Sequence, residues 1–154
     1  MKSLIKANGS GTLLDVYSGT GSIGLTLARS VQKVVGIEEN KESVELSRHN
    51  AELNGIKNFS AVAGRAEDVL PAFREKVDLV VVDPPRPGLH KKVIAKLGEL
   101  KARQIIYVSC NPLTQQGDVA ALQAFGYKIE ICQPFDLFPH TPHIENVIAL
   151  KRSR

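Results

Sequence analysis

With 154 residues and 43% hydrophobic side chains, the chain has the size and apolar content of one globular domain, burying close to ~70% of its unfolded surface without a disulfide staple. Its two cysteines, Cys110 and Cys132, are too few to hold zinc or an iron–sulfur centre, and no apolar run approaches the ~18 residues of a membrane span. No signal-peptide pattern occupies Met1 to Ser10, so a reduced, cytoplasmic setting is expected; the net charge of +4 is modest, but the tail Lys151-Arg152-Ser153-Arg154 and the pairs Lys91-Lys92 and Lys101/Arg103 tilt the surface toward polyanions.

Apolar runs alternate with helical patterns along the chain, the signature of an α/β fold with a mostly parallel sheet and helices on both faces. A first strand is expected at 12–16, a helix at 21–30, a strand at 33–37, and a helix at 40–54 that stops before Asn54-Gly55. Strands then follow at 59–63, 77–82 and 104–108, with helices at 66–74, 91–100 and 112–125. The last strands, 127–133 and 145–150, have no helix between them and are read as an antiparallel edge pair joined by Phe138-Pro139-His140-Thr141-Pro142-His143. Cys132 falls inside the first of these two, where packing accounts for it.

Four strand exits carry candidate chemistry. After the first strand, Gly19-Thr20-Gly21-Ser22-Ile23-Gly24 is a G-x-G-x-x-G turn whose glycines let backbone approach a ligand closely. A dinucleotide pyrophosphate would be repelled by Asp15, four residues before the first glycine, so the loop favours a ligand with a cationic amino acid moiety, as in S-adenosylmethionine. Glu38, 19 residues beyond Gly19 at the end of the second strand, suits a ribose diol; Glu39 points to the opposite face. Asp83 opens the rigid run Asp83-Pro84-Pro85-Arg86-Pro87-Gly88, which can hold a base or cofactor, with Arg86 available for phosphate. Cys110, in Ser109-Cys110-Asn111-Pro112, lies between a buried strand and a helix N-terminus, where the helix dipole favours the nucleophilic thiolate.

The blocks Asp15-Val16-Tyr17-Ser18-Gly19-Thr20-Gly21, Asp83-Pro84-Pro85-Arg86, Ser109-Cys110-Asn111-Pro112 and Pro139-His140-Thr141-Pro142-His143-Ile144-Glu145 span nearly the whole chain. In that order they resemble the catalytic domain of the S-adenosylmethionine-dependent RNA 5-methyluridine methyltransferases, which act on transfer and ribosomal RNA. The resemblance implies a Rossmann-like class I fold, with cofactor contacts from Asp15, Tyr17, Gly19, Gly21, Glu38 and Asp83. It also implies a nucleophile at Cys110 and a base at Glu145; Arg86 and Asn111 are read as substrate-binding, and His140 and His143 could contact RNA or orient Glu145. If the last strand runs antiparallel beside the fifth, as the resemblance places it, Glu145 starts it at the sheet edge where Cys110 leaves. No metal is implied.

Such a pair suits uracil, whose C5 is a poor nucleophile until a thiolate adds at C6; a carboxylate must then remove the C5 proton so that the cysteine can leave. Both faces of the base must be reached, so a flipped or single-stranded uridine is implied. Family members carry RNA-binding and central domains, and an aromatic-Gln segment, ahead of this domain. The expectation is therefore a single catalytic domain over 1–154, a C-terminal fragment of a larger RNA methyltransferase, excised or natural. The competing readings are a cofactor- or RNA-binding module without turnover and a methyltransferase acting on another base, with a nicotinamide oxidoreductase last because of Asp15.

Overall fold

Buried runs of branched residues make the strands. Leu79–Val82 is Leu-Val-Val-Val with every side chain buried, the pattern of a parallel strand covered on both faces. The computed structural model describes residues 9–137, 139–141 and 144–153. His143 and much of the proline-rich turn lie outside the described residues.

Seven strands are described: β1 (Thr12–Val16), β2 (Lys33–Glu38), β3 (Phe59–Ala63), β4 (Leu79–Val82), β5 (Gln104–Ser109), β6 (Tyr127–Phe135) and β7 (Glu145–Arg152). They form one sheet in the order β3-β2-β1-β4-β5-β7-β6. β7 pairs antiparallel with both neighbours, and the ladders from β3 through β5 are parallel. The chain thus winds outward from β1 in one direction and from β4 in the other. Between them lies the switch point at which open sheets bind ligands, outside the carboxyl ends of the strands.

Strand alternation sorts the core onto two faces. Leu14, Val16, Val80, Val82, Ile105, Tyr107, Ile148 and Leu150 pack with residues of α3 (Ala66–Val69), α4 (Lys91–Leu100) and α5 (Pro112–Gln123). Leu13, Leu79, Val81, Ile106, Val147 and Ala149 pack on the other face, where α1 (Ser22–Leu27) contributes Leu27. α2 (Lys41–Leu53) lies against β2 and β3, capped by Asn40, whose side chain accepts from Ser43 N–H at 2.9 Å.

Four details depart from the sequence reading. The helix expected at 21–30 is α1 followed by a 3-10 turn at Ala28–Ser30, and the helix at 66–74 is α3 followed by a 3-10 turn at Leu70–Ala72 containing Pro71. Proline there has no N–H to continue the α ladder. β4 starts at Leu79 rather than 77, because Asp78 closes onto the start of β1: its N–H donates to Thr12 C=O and its Oδ2 accepts from Thr12 N–H, both at 3.0 Å. Cys132 is exposed on β6, an edge strand, so packing does not account for it.

Candidate active site

The turn after β1 is built around Asp15. This residue is fully buried on the α1 face, and its Oδ2 accepts from Gly24 N–H at 2.8 Å, capping α1 from the strand below. A Cβ on Gly24 would stand 2.7 Å from that oxygen, so close approach requires glycine. Gly21 precedes α1 in the left-handed region at φ 84°, which a side chain rarely adopts. Among the described residues Asp15 Oδ1 has no hydrogen-bond partner. Burial, with the nearby Asp83 and Glu38 charges adding to it, pushes the Asp15 carboxyl up to about 7, against the opposing pull of the Gly24 N–H. Sequence placed Asp15 in contact with a cofactor. In the structure it is fully buried beneath the glycine turn, which it holds through Gly24 N–H.

Glu38 sits in the layer above. Its Oε2 accepts from Gly19 N–H and its Oε1 from Asn40 N–H, both at 2.9 Å, which ties the glycine turn to the end of β2. Each oxygen keeps lone pairs for a ligand hydroxyl. Tyr17 adopts the left-handed region at φ 64° and is half-buried; desolvation first and the Glu67 charge second push its phenol up to about 12. Tyr17, Glu38, Asp83, Pro84 and His90 line a cleft of about 460 Å³ over the switch point, and Glu39, expected on the opposite face, lines it as well because the chain leaves the extended strand after Glu38. Its acidic floor suits hydroxyls and a cationic group, and the described residues include no His, Cys, Asp and Glu grouping able to hold a metal.

The loop after β4 is held by α5. Asn111 Nδ2 and Thr114 Oγ1 both donate to Arg86 C=O at 3.1 Å, while Asn111 Oδ1 caps α5 by accepting from Leu113 N–H at 3.2 Å. Sequence placed Asn111 on the RNA side, but its carboxamide is engaged on both ends within the protein. Asp118 Oδ2 accepts from Leu89 N–H at 2.7 Å and from Tyr107 Oη–H at 2.6 Å, fixing the far end of the same loop. Arg86 and Asp83 are exposed. Even so, the Asp83 carboxyl is pushed up to about 6, first by desolvation among the strand ends and then by the Glu145 charge.

β5 and β7 deliver the remaining pair. The β5–β7 ladder ends with Ser109 opposite Asn146, which leaves Cys110 and Glu145 one residue beyond that last rung, on the same edge of the sheet. Cys110, Glu145 and Asp83 line a second pocket of about 470 Å³ walled by Val108, Val147, Phe135 and Leu137. A thiol and a carboxylate thus line one largely apolar cavity, and Asp83 belongs to both cavities. His140, by contrast, is exposed at φ 67° and absent from the pocket lining.

Sequence reasoning missed the apolar walls and the Asp118 strut. Period-2 alternation from Cys110 would have found Val108, and from Glu145, Val147. Phe135 and Leu137 lay beyond the expected end of the sixth strand. Asp118 carries no local signal, since its partners are 11 and 29 residues away.

A sheet of this order with β7 reversed, a glycine turn after β1 and an acid at the end of β2 define a Rossmann-like class I methyltransferase domain. Residues 3–153 match the family described as tRNA (Uracil-5-)-methyltransferase, and the chain belongs to that family. It is 41% identical over 152 residues to an uncharacterized RNA methyltransferase of Clostridium tetani, covering 99% of this chain and 33% of that protein. A Listeria innocua relative, also an uncharacterized RNA methyltransferase, is 46% identical over 147 residues, covering 94% and 32%. The crystal structure of Pyrococcus abyssi tRNA (uracil-54, C5)-methyltransferase in complex with S-adenosyl-L-homocysteine superposes with TM-score 0.84 at 37% identity, over 97% of this chain and 36% of that one. The chain therefore spans about a third of the length of these relatives.

Proposed function

We propose that this domain transfers a methyl group from S-adenosylmethionine to C5 of a uridine in RNA, of the transfer or ribosomal class, through a covalent bond between Cys110 and C6. The observation that carries the reading is the pocket lined by both Cys110 and Glu145, which shares Asp83 with the acidic cleft. The residues present fit the cofactor: a glycine turn at close approach, Glu38 oxygens with spare lone pairs, and a buried carboxylate whose second oxygen has no partner among the described residues. Glu38 would take the ribose hydroxyls, with the Asp15 and Asp83 charges favouring the ammonium end. The cofactor supplies an electrophilic methyl group on a sulfonium.

The chain's own residues do the rest. The Cys110 thiolate adds to C6, and the C5–C6 pair moves toward C4 as an enolate whose C5 accepts the methyl group. Glu145 then takes the C5 proton, the enolate reforms, and its collapse restores the C5–C6 double bond as the Cys110–C6 bond breaks. Val108, Val147, Phe135 and Leu137 exclude water from the enolate. RNA enters with the target base out of its stack, since both ring faces must be reached.

The test is a pair of variants presented with uridine RNA and S-adenosylmethionine. Glu145→Gln keeps the shape but cannot take the proton, so methylated RNA should remain attached through Cys110 and migrate slowly on a denaturing gel. Cys110→Ala should form no adduct and no product, with S-adenosylhomocysteine affinity within twofold of the parent. Normal release of 5-methyluridine by Glu145→Gln would remove Glu145 from the reaction, and turnover by Cys110→Ala would remove the covalent step.

A further inference from the structure

On the opposite side of the β5–β7 pair from the pocket, α5 buries a glutamine. Gln115 is fully buried, and every polar atom of its side chain is engaged. Its Nε2 donates to Tyr107 C=O at 3.0 Å and to Asn146 C=O at 3.3 Å, and its Oε1 accepts from Asn146 Nδ2 at 2.7 Å. Asn146 is itself buried and lies opposite Ser109.

The sequence positions of these partners are what give the contact meaning. Tyr107 lies three residues before Cys110 on β5, Asn146 follows Glu145 directly on β7, and α5 starts two residues after Cys110. One side chain therefore bonds to both strands that present the reacting pair, from the helix that begins where the nucleophile's turn ends. An apolar residue at 115 would fill the same space without desolvating an amide. It would not set the height of β7 against β5, because packing is nondirectional whereas two donated bonds and one accepted bond fix three distances.

We propose that Gln115, acting through Asn146, is a positioning residue that fixes the separation of Cys110 and Glu145. The proposal rests on the reading of those two as the reacting pair. Gln115 lies on the α5 face and never meets the base. Its loss should spare cofactor binding, which belongs to the β1–β4 switch point, and should weaken the step that needs both residues at once.

A disulfide serves as a ruler that needs no activity. In chains carrying Cys132→Ser and Glu145→Cys, the effective concentration of the 110–145 thiol pair is measured against glutathione redox buffers; such bridges tolerate only a narrow range of Cα separation. Adding Gln115→Met should lower that effective concentration at least fivefold. The double change Gln115→Met with Asn146→Val removes both buried partners and so protects folding; it should lower the value to the same extent. Alongside, Gln115→Met with Glu145 and Cys132 intact should raise the ratio of RNA adduct to released product, with S-adenosylhomocysteine affinity within twofold of the parent. A ruler unchanged within twofold in both backgrounds overturns the proposal, whatever the adduct assay reads. A ruler that moves while no chain, parent included, forms an adduct or releases 5-methyluridine upholds the positioning role and defeats the catalytic reading instead.

Discussion

Replacing Asp15 by Asn isolates the cost of holding a charge beneath the glycine turn. The Asp15 carboxyl rises from its ordinary 3.8 to about 7 in the fold, with burial as the leading cause. Below pH 4 both folded and unfolded chains hold the proton, and the group costs nothing differential. Between about 4 and 7 the unfolded chain has released its proton while the folded chain retains it, so the unfolded state binds fewer protons and stability falls as pH rises. The rise spans roughly three decades of proton affinity at about 1.4 kcal/mol each, or about 4 kcal/mol in all, complete by pH 8. Asparagine keeps an oxygen for the Gly24 N–H and does not titrate. Urea unfolding at pH 4, 5, 6, 7 and 8 should show the stability difference, Asp15→Asn variant minus parent, increasing with pH by about 4 kcal/mol along a single sigmoid. The other titrating groups are common to both chains and cancel, apart from the small Asp83 and Glu38 couplings. A difference constant within about 1 kcal/mol over that range would refute the claim that Asp15 is buried and reluctant to ionise.

Gly24→Ala drives a methyl group to within 2.7 Å of Asp15 Oδ2 and 3.1 Å of Val34 Cγ1, at an overpacking cost of about 1–3 kcal/mol, visible as a drop of several degrees in Tm; an unchanged Tm would mean the turn yields freely. Cys132→Ser should change stability by no more than about 0.5 kcal/mol in urea titrations, since the residue is exposed and its neighbour Asn146 is also held by Gln115; a loss beyond 1 kcal/mol would show that the 3.7 Å contact between Cys132 and Asn146 matters. RNA binding by this chain should be weak and fall steeply with salt in fluorescence anisotropy, because a net charge of +4 offers few phosphate contacts; nanomolar, salt-insensitive binding would contradict this.

Why the strands were readable and parts of the site were not comes down to the range of the interactions. β1, β3 and the start of β5 fall where their apolar runs put them, because β-branched and apolar residues in short runs favour the extended chain. The placement of Glu38 and Cys110 at the carboxyl edge of the sheet was also legible, since a strand exit fixes a residue's edge. The failures are tertiary. Asp78 reads locally as strand, yet its carboxylate is drawn to Thr12, 66 residues away. Asn111 looks like a polar residue offered to a ligand, and the Arg86 carbonyl that engages it is 25 residues distant. Cys132 alternates like a core residue, but β6 is the last strand of the sheet and has a neighbour on one side only.

The reversed strand is what makes a two-residue site possible here. β7 runs Glu145–Arg152, about 24 Å at the rise of a strand, so reversing its direction moves its first residue from one edge of the sheet to the other. Run parallel to β5, β7 would present Glu145 at the edge where β5 begins, remote from Cys110. Only nine residues separate Phe135 from Glu145, and a parallel crossover takes a dozen or more, so the connection can only fold back as a hairpin. β7 then enters between β5 and β6 with Glu145 at the carboxyl edge, where Ser109 and Asn146 set its height and Phe135, opposite Glu145, closes the far wall. The short connection thereby fixes the direction of β7, and that direction places an acid at the sheet edge where the thiol lies, in the lining of the same pocket.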